Sequence, residues 1–183
     1  MYVTTNKATD KMIRAFFALL EEKPYGKISV TEFISRAGVS RTTFYRHYRD
    51  IYDMYDKVCE LMLQSIMREL TVSFASEKVN DLAELFESFC EKIGSQNHYI
   101  ALLCGRNGDK RFFEIGAGIA MSCADIIEKA LSDNELLALK FVTFSCMGTY
   151  VKCLTDGSEF DKKYIHMYKK ILEDAQKAGE HNV

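Results

Sequence analysis

The residues with the most chemical character lie together, in the string SVTEFISRAGVSRTTFYRHY at positions 29–48. Arg41, Thr42, Thr43, Arg46 and His47 fall on one side of a short helical stretch, while Val39 and Phe44 fall on the other. Arginine bonds a guanine edge through two parallel N–H groups, threonine bonds a base or touches a thymine methyl, and tyrosine or histidine holds a phosphate. A helix opening at Ser40 adds the partial positive charge of its first turn, which favours phosphate. These are DNA-reading residue types. The competing reading is an αα-hairpin packed for stability, whose outer face is charged only because surfaces are.

Other chemistries find little support. His47, His98, His166 and His181 are scattered and form no H-x-x-x-H pair, so neither a catalytic centre nor a metal site is expected. The six cysteines, at 59, 90, 104, 123, 146 and 153, include no C-x-x-C pair and mostly sit in apolar helical stretches. Zinc and a disulfide scaffold are both disfavoured. Cys146 and Cys153 are two turns apart on one face, about 10.5 Å along the axis, which is too far to bridge within a chain. Small buried hydrophobes are the expected role. The run RNGDKR at 106–111 could cradle an anion in successive amides, but a solvated turn opening the next helix is the simpler expectation. No cofactor is expected.

A reader helix must be held by others, and the chain is patterned for helices throughout. One proline, Pro24, and ten glycines lying mostly between apolar-periodic stretches leave no sustained alternation of period two. A first helix is expected over 9–22, with Ile13, Phe16, Phe17 and Leu20 as its buried stripe and Pro24 as its stop. Ser29 caps a second, with Glu32 three residues on as the reciprocal partner of a capping box. Phe33, Ile34 and Ala37 turn inward, Gly38 supplies the turn, and Ser40 caps the third helix, 41–48. Asp50 caps a long fourth, 51–76. Further helices are expected over 81–93, 99–103, 110–131, 135–154 and 159–178, joined by short polar links such as 94–97 and 104–109. The fold class is therefore all-α, with about nine helices: an N-terminal three-helix, helix-turn-helix domain over 1–50 and a helical bundle over 51–183.

Composition agrees with that division. The chain has 183 residues, 48% hydrophobic and 27% charged, with a net charge of -2. Residues 1–50 carry nine Lys or Arg against five Asp or Glu, whereas 51–183 carry 15 against 21. A basic head on an acidic body is the footprint of a nucleic-acid partner. No apolar run is expected to reach a membrane span, and the first ten residues lack the apolar stretch of a secretory signal, so a cytoplasmic protein without a membrane partner is expected.

Residues 9–58 resemble the N-terminal domain of the TetR family of bacterial transcriptional regulators, through A-G-V-S at 37–40 and F-Y-R-H-Y at 44–48. The remainder is similar to a Firmicutes branch of that family that includes regulators of dihydroxyacetone kinase operons, through EEKPYGKISV at 21–30, RNGDKRFFE at 106–114 and the last helix pair. The resemblance implies that Thr31 sits near the DNA backbone, that Arg41, Thr42 and Thr43 enter the major groove, and that Tyr45, His47 and Arg49 hold phosphates. Ile51 departs from the family, which often has lysine there, and so removes one phosphate contact. The family's usual mode implies a repressor, although the branch also includes activators and members controlled by a partner protein.

Two further expectations concern the body. Cys59, Met62, Phe89, Tyr99, Phe112 and Met147 are soft or aromatic groups suited to lining a pocket for a small apolar or amphipathic effector, though any core needs such residues. Phe141, Phe144, Gly148 and Val151 on one helix, with Tyr164, Tyr168 and Ile171 on the next, form apolar stripes expected to pair with a second copy in a four-helix bundle. The expected function is a homodimeric regulator binding a palindromic operator. The alternative is a co-activator or adaptor controlled by a partner protein and lacking a small-molecule pocket.

Overall fold

The computed structural model describes residues 7–76, 81–127 and 131–180, and among these every regular element is a helix. The order is α1 (Lys7–Glu22), a 3-10 turn (Tyr25–Lys27), α2 (Val30–Ala37), α3 (Arg41–His47), α4 (Ile51–Ser76), α5 (Leu82–Ser95), α6 (Asn97–Cys104), α7 (Arg111–Ile127), α8 (Asp133–Asp156) and α9 (Lys162–Glu180). The 3-10 turn after Pro24 is not signalled by periodicity. The link expected at 94–97 shrinks to Gln96 alone, because α5 runs on to Ser95 and α6 begins at Asn97. Of the helix expected over 110–131, residues 128–130 lie outside those described.

Side-chain caps open several helices, and those at Ser29 and Ser40 are expected from the sequence. The Ser29 hydroxyl accepts from the Glu32 amide, and the Ser40 hydroxyl from the Thr43 amide. Ser132 and Glu135 complete a reciprocal capping box at α8. Each cap satisfies an amide that the helix itself leaves without a partner. At α2 only the Ser29 half of the expected capping box forms, because the Glu32 carboxylate takes the Lys23 ammonium at 2.6 Å and ties α2 to the end of α1.

One hydrophobic cluster runs from end to end. Met12, Phe16, Leu19 and Leu20 of α1 are fully buried with Phe33 of α2 and Phe44 of α3. Phe16 meets Tyr55 of α4 edge to face, with ring centroids 6.4 Å apart, so the first three helices are seated on the fourth. Burying each such ring contributes about 1.5–3 kcal/mol. In the body α4 packs chiefly on α7, while α9 lies along both α5 and α8. Asp81 caps α5 through the amides of Ala83 and Glu84, and the Leu82 amide donates to Gln176 of α9 at 3.0 Å.

Candidate nucleic-acid interface

The reader is built from α2, a tight turn and α3. Gly38 ends α2 with φ 62° and ψ 41°, the left-handed conformation that side chains with a Cβ resist. Its amide bonds back to Ile34 and Ser35, and the Val39 amide reaches the Ile34 carbonyl at 3.2 Å. The two helices are then locked by Phe33 against Phe44, with ring centroids 5.4 Å apart. With Phe44 fully buried, helical geometry turns Arg41, Thr42, Tyr45 and Arg46 outward, and all four are exposed, Tyr45 by 50%. Ile34 and Val39 are partly buried against the core.

The seven residues expected at DNA divide by their partners. Thr31 is exposed, and its Oγ1 accepts from Arg41 Nη2 at 2.9 Å. Thr42 is exposed. Thr43 is half-buried, with its hydroxyl 2.8 Å from Ser40 Oγ, so part of its bonding capacity serves the cap. His47 is half-buried and its Nε2 is a buried atom without a hydrogen-bond partner. Arg49 is solvent-exposed, yet its amide and guanidinium both bond Asp53, at 2.9 and 3.2–3.3 Å. Ile51 is buried.

Asp53 is where the reader joins the body. Its carboxylate also takes the Lys57 ammonium at 3.0 Å, and the same ammonium donates to the His47 carbonyl at 2.9 Å. Burial opposes the charge on Asp53. The Arg49 amide, the Lys57 ammonium and the Arg49 guanidinium outweigh it and hold the carboxyl below the ordinary carboxylate range. The C-terminal end of α3 is thereby bolted to the first turns of α4. Sequence reasoning assigned no role to Asp53 or Lys57, although their i,i+4 spacing is a visible ion-pair signal.

The run at 106–111 is not a solvated turn. The Asn107 carbonyl accepts from the Tyr25 amide at 2.9 Å, and its side chain donates to the Leu20 carbonyl at 2.7 Å. Asp109 accepts from the Tyr25 hydroxyl, and Arg111 donates to that hydroxyl, both at 2.9 Å. The Tyr55 hydroxyl bonds the carbonyls of Leu103 and Asp109 at 2.6 and 2.9 Å. Arg111 also reaches Asp56 at 3.1 Å and lies over the rings of Tyr25 and Tyr55. A Cβ on Gly108 would collide with the Leu103 carbonyl, so the loop can fold this tightly only with glycine there. These partners of Asn107, Asp109 and Arg111 lie 54 to 87 residues away, and no local pattern announces them.

Of the six residues expected to line a pocket, the structure brings three together. Phe89, Phe112 and Met147 border an apolar cavity of about 30 Å³ with Leu63, Ile66, Gly116 and Tyr150. That is room for a water and little more. Cys59 and Met62 are buried core residues of α4. Tyr99 lies apart from this cavity, packed on Phe17 with ring centroids 4.6 Å apart, at the edge of a half-open cleft of about 230 Å³ between α1 and α6. The cysteine beside Cys146 is Cys90 of α5, with sulfurs 4.0 Å apart. The Cys146 thiol and burial push the Cys90 thiol well above its ordinary pKa. The Cys123 side chain lies outside those described.

The residues expected at a dimer interface lie along α8 and α9. Phe141 is 57% exposed, Phe144, Gly148, Val151, Tyr164 and Ile171 are half-buried, and Tyr168 is buried within the chain against Phe86. Leu137 and Met167 are exposed as well. By length and composition alone α8 could cross a membrane, a test that the core helix of a globular protein also passes.

Residues 13–58 match the family model described as bacterial regulatory proteins, tetR family. A solved structure described as dihydroxyacetone kinase operon activator DhaS is similar with a TM-score of 0.63 and 13% sequence identity, over 94% of this chain and 96% of that one. At that identity the likeness is one of fold.

Proposed function

We propose, from the match of residues 13–58 to the tetR family of bacterial regulatory proteins, that the chain is a member of that family and works as a homodimer reading a palindromic operator with α3 of each copy. That it is a DNA-binding transcriptional regulator follows from the family. The observation that carries the finer reading is the outward set Arg41, Thr42, Tyr45 and Arg46, held on a capped helix whose inner face is fixed by Phe44. In this reading Arg41, Thr42 and Thr43 face base edges. Thr31, Tyr45, His47 and Arg49 face the sugar-phosphate backbone, with Arg49 keeping donors free beside Asp53. The reading unit is residues 1–50 and the regulatory and dimerising unit is 51–183.

One seven-residue helix buries too little DNA surface alone, and a two-fold axis doubles it on a palindrome, with the two readers roughly 34–36 Å apart. The uncovered apolar face of α8 and α9 supports that axis: Phe141, Phe144, Gly148 and Val151 meet Tyr164 and Ile171 of a second copy, and Tyr168 props the face from beneath. Repression by occupying the operator, relieved when a small apolar effector enters beside Phe89, Phe112 and Met147, is the regulatory mode of this reading. An effector alters affinity only by binding the DNA-competent and incompetent states unequally. The 30 Å³ cavity favours a second reading, in which a partner protein sets activity and no small molecule enters.

Binding to a duplex selected from random sequence tests the proposal. The logarithm of the affinity should fall linearly with the logarithm of salt concentration, by about 0.9 per phosphate contacted. A flat salt dependence refutes it. A thermal-shift screen of apolar metabolites separates the two regulatory readings.

A further inference from the structure

Four arginines within residues 1–50 have defined partners, and one of them differs in kind. Arg14 pairs with Asp10, Arg36 with Glu22 and Arg49 with Asp53, each a carboxylate. Arg41 instead donates from Nη2 to the neutral hydroxyl of Thr31, 2.9 Å away on the neighbouring helix. Its charge is therefore not neutralised by that bond. Both residues are exposed, and the Phe33–Phe44 contact and the Gly38 turn fix the crossing of α2 over α3 that puts them side by side.

We infer that Thr31 is a positioning residue for Arg41 and that the pair determines a preference for guanine at one position of each operator half-site. This rests on the proposed reading of α3 at base edges. A guanidinium carries five N–H groups in a planar fork. One Nη2 hydrogen goes to Thr31, which leaves the other Nη2 hydrogen and those on Nη1 to meet O6 and N7 of a guanine together. The Thr31 oxygen accepts from Arg41, so its own hydrogen stays free to donate to a phosphate oxygen. One hydroxyl thus links the fork that reads the base to the strand that sets the register. Holding a long side chain in place before binding reduces the ordering cost at binding, and it does so only for the base that the held geometry fits.

The test uses the full-length protein and a duplex enriched from a random library, followed by affinities for every single base-pair change in one half-site. Arg41→Ala should abolish the preference for guanine at one position. Thr31→Val, which keeps the shape and removes the hydroxyl, should weaken that same preference by roughly two- to tenfold, the range of one hydrogen bond, and leave the other positions unchanged. Thr31→Ser should restore it. Circular dichroism of each variant establishes that it is folded. If Thr31→Val lowers affinity equally for all sequences, or changes preference at a position other than the one lost in Arg41→Ala, Thr31 does not position Arg41. If the wild-type chain enriches no sequence, the proposed reading of DNA fails, and this inference fails with it.

Discussion

The Tyr25 hydroxyl accepts from the Arg111 guanidinium at 2.9 Å across 86 residues of chain, and donates at the same distance to Asp109. Through this one phenol the segment linking α1 to α2 is fastened to the loop between α6 and α7. That loop is flanked by Ile100 and Phe112, which also border the small apolar cavity. Tyr25→Phe should cost about 1 kcal/mol in urea unfolding. A double-mutant cycle with Arg111→Lys should give a coupling energy above about 0.5 kcal/mol, and strict additivity would mean the bond contributes nothing.

Gly38 and Ser40 should respond differently to alanine. Gly38→Ala finds open space for its Cβ but must hold φ near 62°, at a cost of about 1–2 kcal/mol. Ser40→Ala removes the α3 cap and should cost about 1 kcal/mol. Chemical denaturation measures both.

Asp53 gives the acid limb of stability a specific origin. Its folded pKa lies below the unfolded value of about 3.9. Its contribution is therefore fully present above that value and is lost as pH falls through the folded pKa. Thermal midpoints recorded from pH 7 to pH 2.5 should fall less steeply for Asp53→Asn than for the wild type, with Asp53→Asn already lower at neutral pH. Parallel curves would place the acid sensitivity elsewhere.

Phe141→Glu should disrupt self-association at little cost to the fold, since the ring is 57% exposed in the single chain. Sedimentation at micromolar concentration should give a dimer for the wild type and a monomer for the variant. An unchanged dimer would move the interface away from α8.

Met147 closes one wall of the cavity, with its sulfur 3.1 Å from where a Cβ on Gly116 would stand. Met147→Ala should cost about 2–5 kcal/mol and leave room for a small apolar probe. Indole should then raise the melting temperature of the variant and not that of the wild type.

Amino-acid order alone determined the helices and the reader. Ser29, Gly38, Ser40 and Asp50 act within a few residues of themselves, through caps and a left-handed turn, so their signals are local and survive without the rest of the chain. The alternation of Phe44 with Arg41, Thr42, Tyr45 and Arg46 likewise defines a buried and an exposed face by helical geometry alone. Tertiary structure decided which distant groups meet. The order of residues made 106–111 look like any polar turn, and only the packing of α4 on α7, with the 3-10 turn against α4, brings Tyr55 and Tyr25 to it. The same holds for Cys90 beside Cys146, and for Tyr99, whose aromatic character suited a pocket but whose helix lies against α1. Side-chain type says what a residue can bond, whereas contacts across 50 or more positions depend on how helices cross, which no short stretch of sequence encodes.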